Sequence, residues 1–220
     1  MSGTGHFAAC ARWACGLLVA GFLVFGCGTP PAALSRAQVG IMPEGFARRP
    51  VSSTADAAAY VDSYAEALGL KGVRAVRALG FSGSYWVYVA EEDTDRSAFS
   101  LEVRADGEIT ARRFPTMDPE MMWNQKYGHR ARPDLSQIEE GLTLAKAANV
   151  AREALPKATE VGFGKGSAYY GYVLFPLCQG GRLVGEAAVN TANGEVVWKR
   201  LPEPPRTAWP APDTAAGRCN

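Results

Sequence analysis

Two histidines, His6 and His129, are the whole imidazole inventory of this 220-residue chain, and His6 precedes the apolar run Ala14 to Gly26. A Ser-His-Asp or Cys-His site would rest on His129 alone, and no Gly-x-Ser-x-Gly elbow accompanies it. Zinc sites built from several His and Cys ligands are excluded by the same shortage. Gly162 to Ser167 reads Gly-Phe-Gly-Lys-Gly-Ser, which has the residues of a phosphate loop without its spacing. It precedes a strand pattern rather than a helix, so it is expected to be a flexible hairpin turn. No catalytic residue is assigned.

Three other groups have chemistry to offer. Met117, Met121, Met122 and His129 combine thioethers with an imidazole, a soft set suited to Cu(I). The competing expectation is packing, because Met and Trp fill irregular gaps where two units meet. Glu91-Glu92-Asp93-Thr94-Asp95 clusters the oxygens that a hard cation takes but lacks the spacing of an EF-hand loop, so a solvated hairpin tip is expected. Paired carboxylates would need two acids meeting in space, and Glu102 and Glu186 lie only in corresponding strands. Glu102 falls on the polar side of its alternation, where solvation is the natural reading.

Lys plus Arg number 23 and Asp plus Glu 22, so nothing in the balance points to nucleic acid or to a strongly anionic surface. Removing residues 1–26 takes away Arg12 alone and leaves 22 of each. Ala14 to Gly26 carries no charge and is too short to span a bilayer comfortably, which needs ~20 residues, so it reads as the core of a secretory signal. An uncleaved N-terminal anchor is the alternative. The run ends at Val24-Phe25-Gly26-Cys27, which resembles the lipobox of bacterial lipoproteins, although Phe25 departs from the usual choice. The resemblance implies lipidation of Cys27 and a place in the cell envelope, on its periplasmic or extracytoplasmic face. In such an oxidising compartment Cys178 and Cys219 are candidates for a disulfide worth ~3 kcal/mol; two unpaired thiols are the alternative, since spacing cannot establish geometry.

The elements that would position these groups come in two similar sets. Tyr85 to Pro115 and Tyr169 to Pro202 each run from a Tyr-rich stretch through a turn and an alternating strand to Asp106-Gly107 or Asn193-Gly194, then a last strand. A helix is expected before each. Ser53 to Gly69 starts at a capping residue and places Tyr60, Val61, Tyr64 and Leu68 on one side, and a second helix opens at Leu142-Thr143 and ends before Pro156. Phe99, Leu101 and Val103 alternate with Ser100, Glu102 and Arg104, the pattern of a sheet with one wet face. The expected class is α+β, with two tandem modules that each pack a helix on a small antiparallel sheet. The segments are a signal at 1–26, a tether at 27–52, module one at 53–115, a Met- and Trp-rich connector at 116–141, module two at 142–202, and a Pro-rich extended or disordered tail at 203–220. The connector is expected to pack between the modules.

A helix, antiparallel strands with an aromatic run such as Tyr85-Trp86-Val87-Tyr88, and a Val-x-x-Asp-Gly-Glu or Val-Asn-x-x-x-Gly-Glu turn together resemble the PepSY class of exported bacterial proteins. Both sets fit, over about Ser53 to Pro115 and Leu142 to Pro202. Met121 to His129 is similar to a stretch found in two-copy members. Val197 to Leu201 departs from their aromatic and histidine-rich ending. The resemblance implies no catalytic residues and no cofactor, and a role in binding or modulating an envelope partner, a peptidase among them. The candidate partner-binding residues are Tyr85, Trp86, Tyr88, Trp123, Tyr127, Tyr169, Tyr170 and Tyr172.

Overall fold

The fold is taken from a computed structural model, which describes residues 39–94, 96–112, 122–128, 136, 141–155 and 160–210. Ser53 caps the first helix, α1 (Thr54–Ala67), by accepting from the Asp56 N–H at 3.1 Å. Gly69 ends it with φ +72°, letting the N–H of Leu70 reach back to the carbonyl of Ala65 at 2.9 Å. Ala57, Tyr60, Val61, Tyr64 and Leu68 recur at three- and four-residue spacing, and all are buried.

That stripe lies on a meander of β1 (Val73–Gly80), β2 (Ser84–Glu91), β3 (Ser97–Arg104) and β4 (Ile109–Ala111). Val87, Val89, Phe99, Leu101 and Val103 face the helix. The second half repeats the order of elements. Thr143 caps α2 (Leu144–Ala154), and β5 (Gly162–Phe163), β6 (Ser167–Ala168), β7 (Tyr172–Gln179), β8 (Arg182–Asn190) and β9 (Val196–Arg200) follow. Ala147 and Ala151, four residues apart, present no bulk and bring α2 down onto Val173, Phe175 and Val189. The result is α+β, with two helices and two antiparallel sheets among the described residues.

The second face of each sheet is turned toward the other. Leu79, Trp86 and Tyr88 from the first sheet form one buried cluster with Tyr172, Leu174, Leu183 and Ala188 from the second and Tyr169 and Leu201 beside it. Each such large side chain contributes about 1.5–3 kcal/mol on burial, more than enough together to offset the several kcal/mol a buried ion pair costs. The expected wet face of the first sheet is therefore covered at one end: Ser100 is fully buried, Glu102 is half-buried and Arg104 is exposed.

Three further expectations are corrected. The described part of the tether is not a spacer: Val39 and Val51 are buried, Phe46 packs on Tyr60 and Tyr64, and the Tyr64 hydroxyl donates to the Ile41 carbonyl at 2.9 Å. The start of the Pro-rich tail is ordered as β10 (Thr207–Trp209), which returns to the first sheet and pairs antiparallel with β1, Trp209 opposite Ala78. The open edge of β1 and an apolar seat for Trp209 are what hold it there. Gly162 to Ser167 is no hairpin turn, because β5 and β6 both pair with β7 and form an interrupted edge strand. In the second sheet β7 and β8 are joined at Gly180-Gly181, both at positive φ.

Candidate functional site

The polar groups of highest consequence lie between the sheets. Glu186 of β8 is buried and faces Arg112, the residue after β4, in an ion pair; Arg112 also donates to Ser100 Oγ at 3.1 Å. The Tyr88 hydroxyl donates to the other Glu186 oxygen at 2.6 Å. The Arg112 guanidinium lies 4.0 Å from the centre of the Trp86 ring, and Lys199 Nζ lies 4.3 Å from it. Burial pushes the Tyr88 hydroxyl well above its ordinary pKa, so it stays a donor. Both carboxylate oxygens of Glu186 are thus committed, which suits a fixed support better than a proton carrier.

A second hub forms where the connector meets both halves. Glu91, at the end of β2, accepts from Lys126 and from Tyr127 (2.7 Å), Tyr170 (2.6 Å) and Thr94 (2.7 Å). Burial raises its pKa, but the bonds from Lys126, Tyr170, Thr94 and Tyr127 hold it down to about 2. Asn124 sets the connector's turn: its amide donates to the Ala98 carbonyl at 2.6 Å, and its oxygen accepts from the N–H groups of Lys126 and Tyr127. The N–H of Gln125 reaches the Tyr170 carbonyl at 2.8 Å. Glu91 is therefore not part of a solvated tip, though Glu92, Asp93 and Thr94 are exposed. Among the described residues no group of three or more His, Cys, Asp or Glu could hold a metal ion.

The aromatic residues expected to meet a partner are largely spent inside. Trp86, Tyr88, Tyr169 and Tyr172 are buried, with Tyr169 and Tyr172 stacked at 4.4 Å, and of the four Trp86 lines a cleft at the surface. The cause is the packing of sheet on sheet, which covers the face left open in a one-helix, one-sheet module. Tyr85, Trp123, Tyr127 and Tyr170 are half-buried. Met122 is exposed; Met117, Met121 and His129 lie outside the described residues, as do residues 1–26, Cys27 and Cys219. Cys178 is buried and disulfide-bonded. No helix among the described residues is long and apolar enough to cross a membrane.

What the surface does offer is the edge at β9. Among the described residues β9 pairs only with β8, and it is the longest edge strand left open: β10 has three residues, β5 two, and β4 has Gly40 against Ala111. Trp198 on it is 42% exposed. A hollow of about 430 Å³ beside Trp198 is walled by Val161, Leu177, Val184 and Gly185, with Glu160, Gln179 and Arg200 also lining it. On the other side a cleft of about 470 Å³ is lined by Phe81, Trp86, Lys199, Glu102 and Glu203. Glu203 accepts from the N–H of Ser82 at 2.5 Å and from Arg206 at 2.9 Å, and these bonds hold its pKa below the ordinary range. The β9 edge left no sequence signal beyond an apolar run; an unpaired strand is a property of the sheet order.

No family model, curated protein or solved structure matches this chain.

Proposed function

We propose that the chain is an exported, lipid-anchored, non-catalytic protein of two PepSY-like modules that binds and modulates another envelope protein, with a peptidase as the expected class. The modular reading is supported by the recurrence of a helix followed by an antiparallel meander in each half. Export is supported by the apolar run ending at Cys27 and by the disulfide at Cys178, a bond that persists in oxidising compartments.

Binding rather than catalysis is supported by the state of the acids. Every described carboxylate whose pKa departs from its ordinary value, at Asp56, Glu91, Asp106 and Glu203, moves down, the opposite of a poised general acid. The observation that carries the reading is the open β9 edge with Trp198 on it, since a free strand edge is a general protein-recognition element. Native mass spectrometry of the protein gently extracted from its own envelope tests it. A lipid-modified Cys27 with a stoichiometric protein partner is expected; a lone chain without lipid would refute the reading.

A further inference from the structure

The backbone of β9 has two sides. The N–H of Leu201 bonds to the Val184 carbonyl and that of Asn190 to the Glu195 carbonyl, both at 2.8 Å. In an antiparallel ladder these bonds alternate, so the groups of Val197 and Lys199 turn toward β8. Those of Val196, Trp198 and Arg200 turn outward, away from the sheet. The side chains alternate across the sheet as well. Val196 packs toward α2 and Val197 into the layer between the sheets, with Trp198 beside the hollow that Val161, Leu177 and Val184 line and Lys199 beside the cleft that holds Glu102 and Glu203.

We propose that β9 accepts, as an added strand, an extended peptide segment of alternating apolar and polar residues from a partner protein. This rests on the partner-binding reading above and names the partner's chemistry. The peptide's backbone completes the ladder on Val196, Trp198 and Arg200. Its apolar row covers Trp198 and the hollow bounded by Val161, Leu177 and Val184, and its polar row faces Lys199, Glu102 and Glu203 in the cleft. The charges there are of both signs, which suits a polar row carrying both signs in return. A second copy of the chain fits less well. Its own β9 has already turned Val196 and Val197 into its own core and Lys199 onto its own Trp86, leaving few side chains to fill the hollows of another molecule. A peptide outside any sheet has both rows to give.

The test uses the full chain and an eight-residue probe peptide in which valine alternates with glutamate and lysine. Amide hydrogen exchange is read residue by residue, with and without probe. The amides of Val196, Trp198 and Arg200 should slow at least about tenfold, and Trp198→Ala should weaken binding by about tenfold or more, with Trp198→Phe retaining most of it. A probe N-methylated at alternate residues, unable to complete the ladder, should not bind. Unchanged exchange at those three amides would overturn the proposal, as would equal binding of the N-methylated probe. So would protection that grows with protein concentration without probe, because a second copy would then occupy the edge. Probe binding by a chain that carries neither lipid nor partner in its native envelope would refute the exported-regulator reading and leave the edge assignment standing.

Discussion

Arg112 and Glu186, 74 residues apart, meet inside the molecule with side chains 0% and 3% exposed. One comes from the end of the first sheet and the other from the middle of the second, so their pairing specifies how the two sheets dock. Breaking it from one side leaves a buried charge uncompensated, which costs about 3–5 kcal/mol. Arg112→Met should lower stability to urea by that amount, whereas Arg112→Met combined with Glu186→Leu should recover most of it. Additive losses in the double variant, measured by chemical denaturation, would mean the two residues do not act as a pair.

The Glu91 hub predicts a pH dependence. Its carboxylate titrates near 4.5 when free and is held to about 2 in the fold. A folded-state pKa below the unfolded one means a stabilising contribution present above the unfolded value and lost as pH falls toward 2. Glu91→Gln should therefore destabilise at neutral pH, by about 1.5–3 kcal/mol for the lost charge-assisted bonds. The gap from the unmodified protein should close between pH 4.5 and 2. A gap of constant size across that window, read from urea midpoints, would contradict the role of the ionised carboxylate.

Gly80 admits β10. A Cβ built there would come 2.2 Å from Thr207 Oγ1 and 3.2 Å from Thr54 Cγ2. Gly80→Ala should push β10 off the edge of β1 while the rest of the fold stays, since the pairing involves only Ala78 to Gly80 and Thr207 to Trp209. Limited proteolysis between Arg206 and Pro210 should become at least about tenfold faster. Equal cleavage rates in the two proteins would show that β10 does not depend on that close approach.

What the sequence made legible is what has a local cause. Ser53 and Thr143 cap helices because a hydroxyl can satisfy an N–H three residues on, and Gly107 and Gly194 turn hairpins because each takes positive φ. The strands around them were readable to within a few residues in the first half. In the second, the Tyr-rich stretch that opens at Tyr169 turns at Gly171, at φ +100°, and enters its strand only at Tyr172. What stayed hidden has a distant cause. Ser100 and Glu186 look like residues for water until Arg112 is brought against them, and nothing separates Arg112 from Arg113 in the sequence. β10 is masked by its prolines, because its reason to be a strand is the free edge of β1. Of the candidate site, the aromatic runs were visible but their burial was not, and the open edge at Trp198 follows from sheet order alone.

Site-specific photocrosslinking in the living envelope reads what occupies the β9 edge in place. A photoreactive residue is placed at position 198 or 200 on β9, or at position 152 on the exposed face of α2. A discrete protein adduct is expected from 198 and 200 and none from 152. Adducts from 152 alone, or none from β9 in the native envelope, would contradict the proposal.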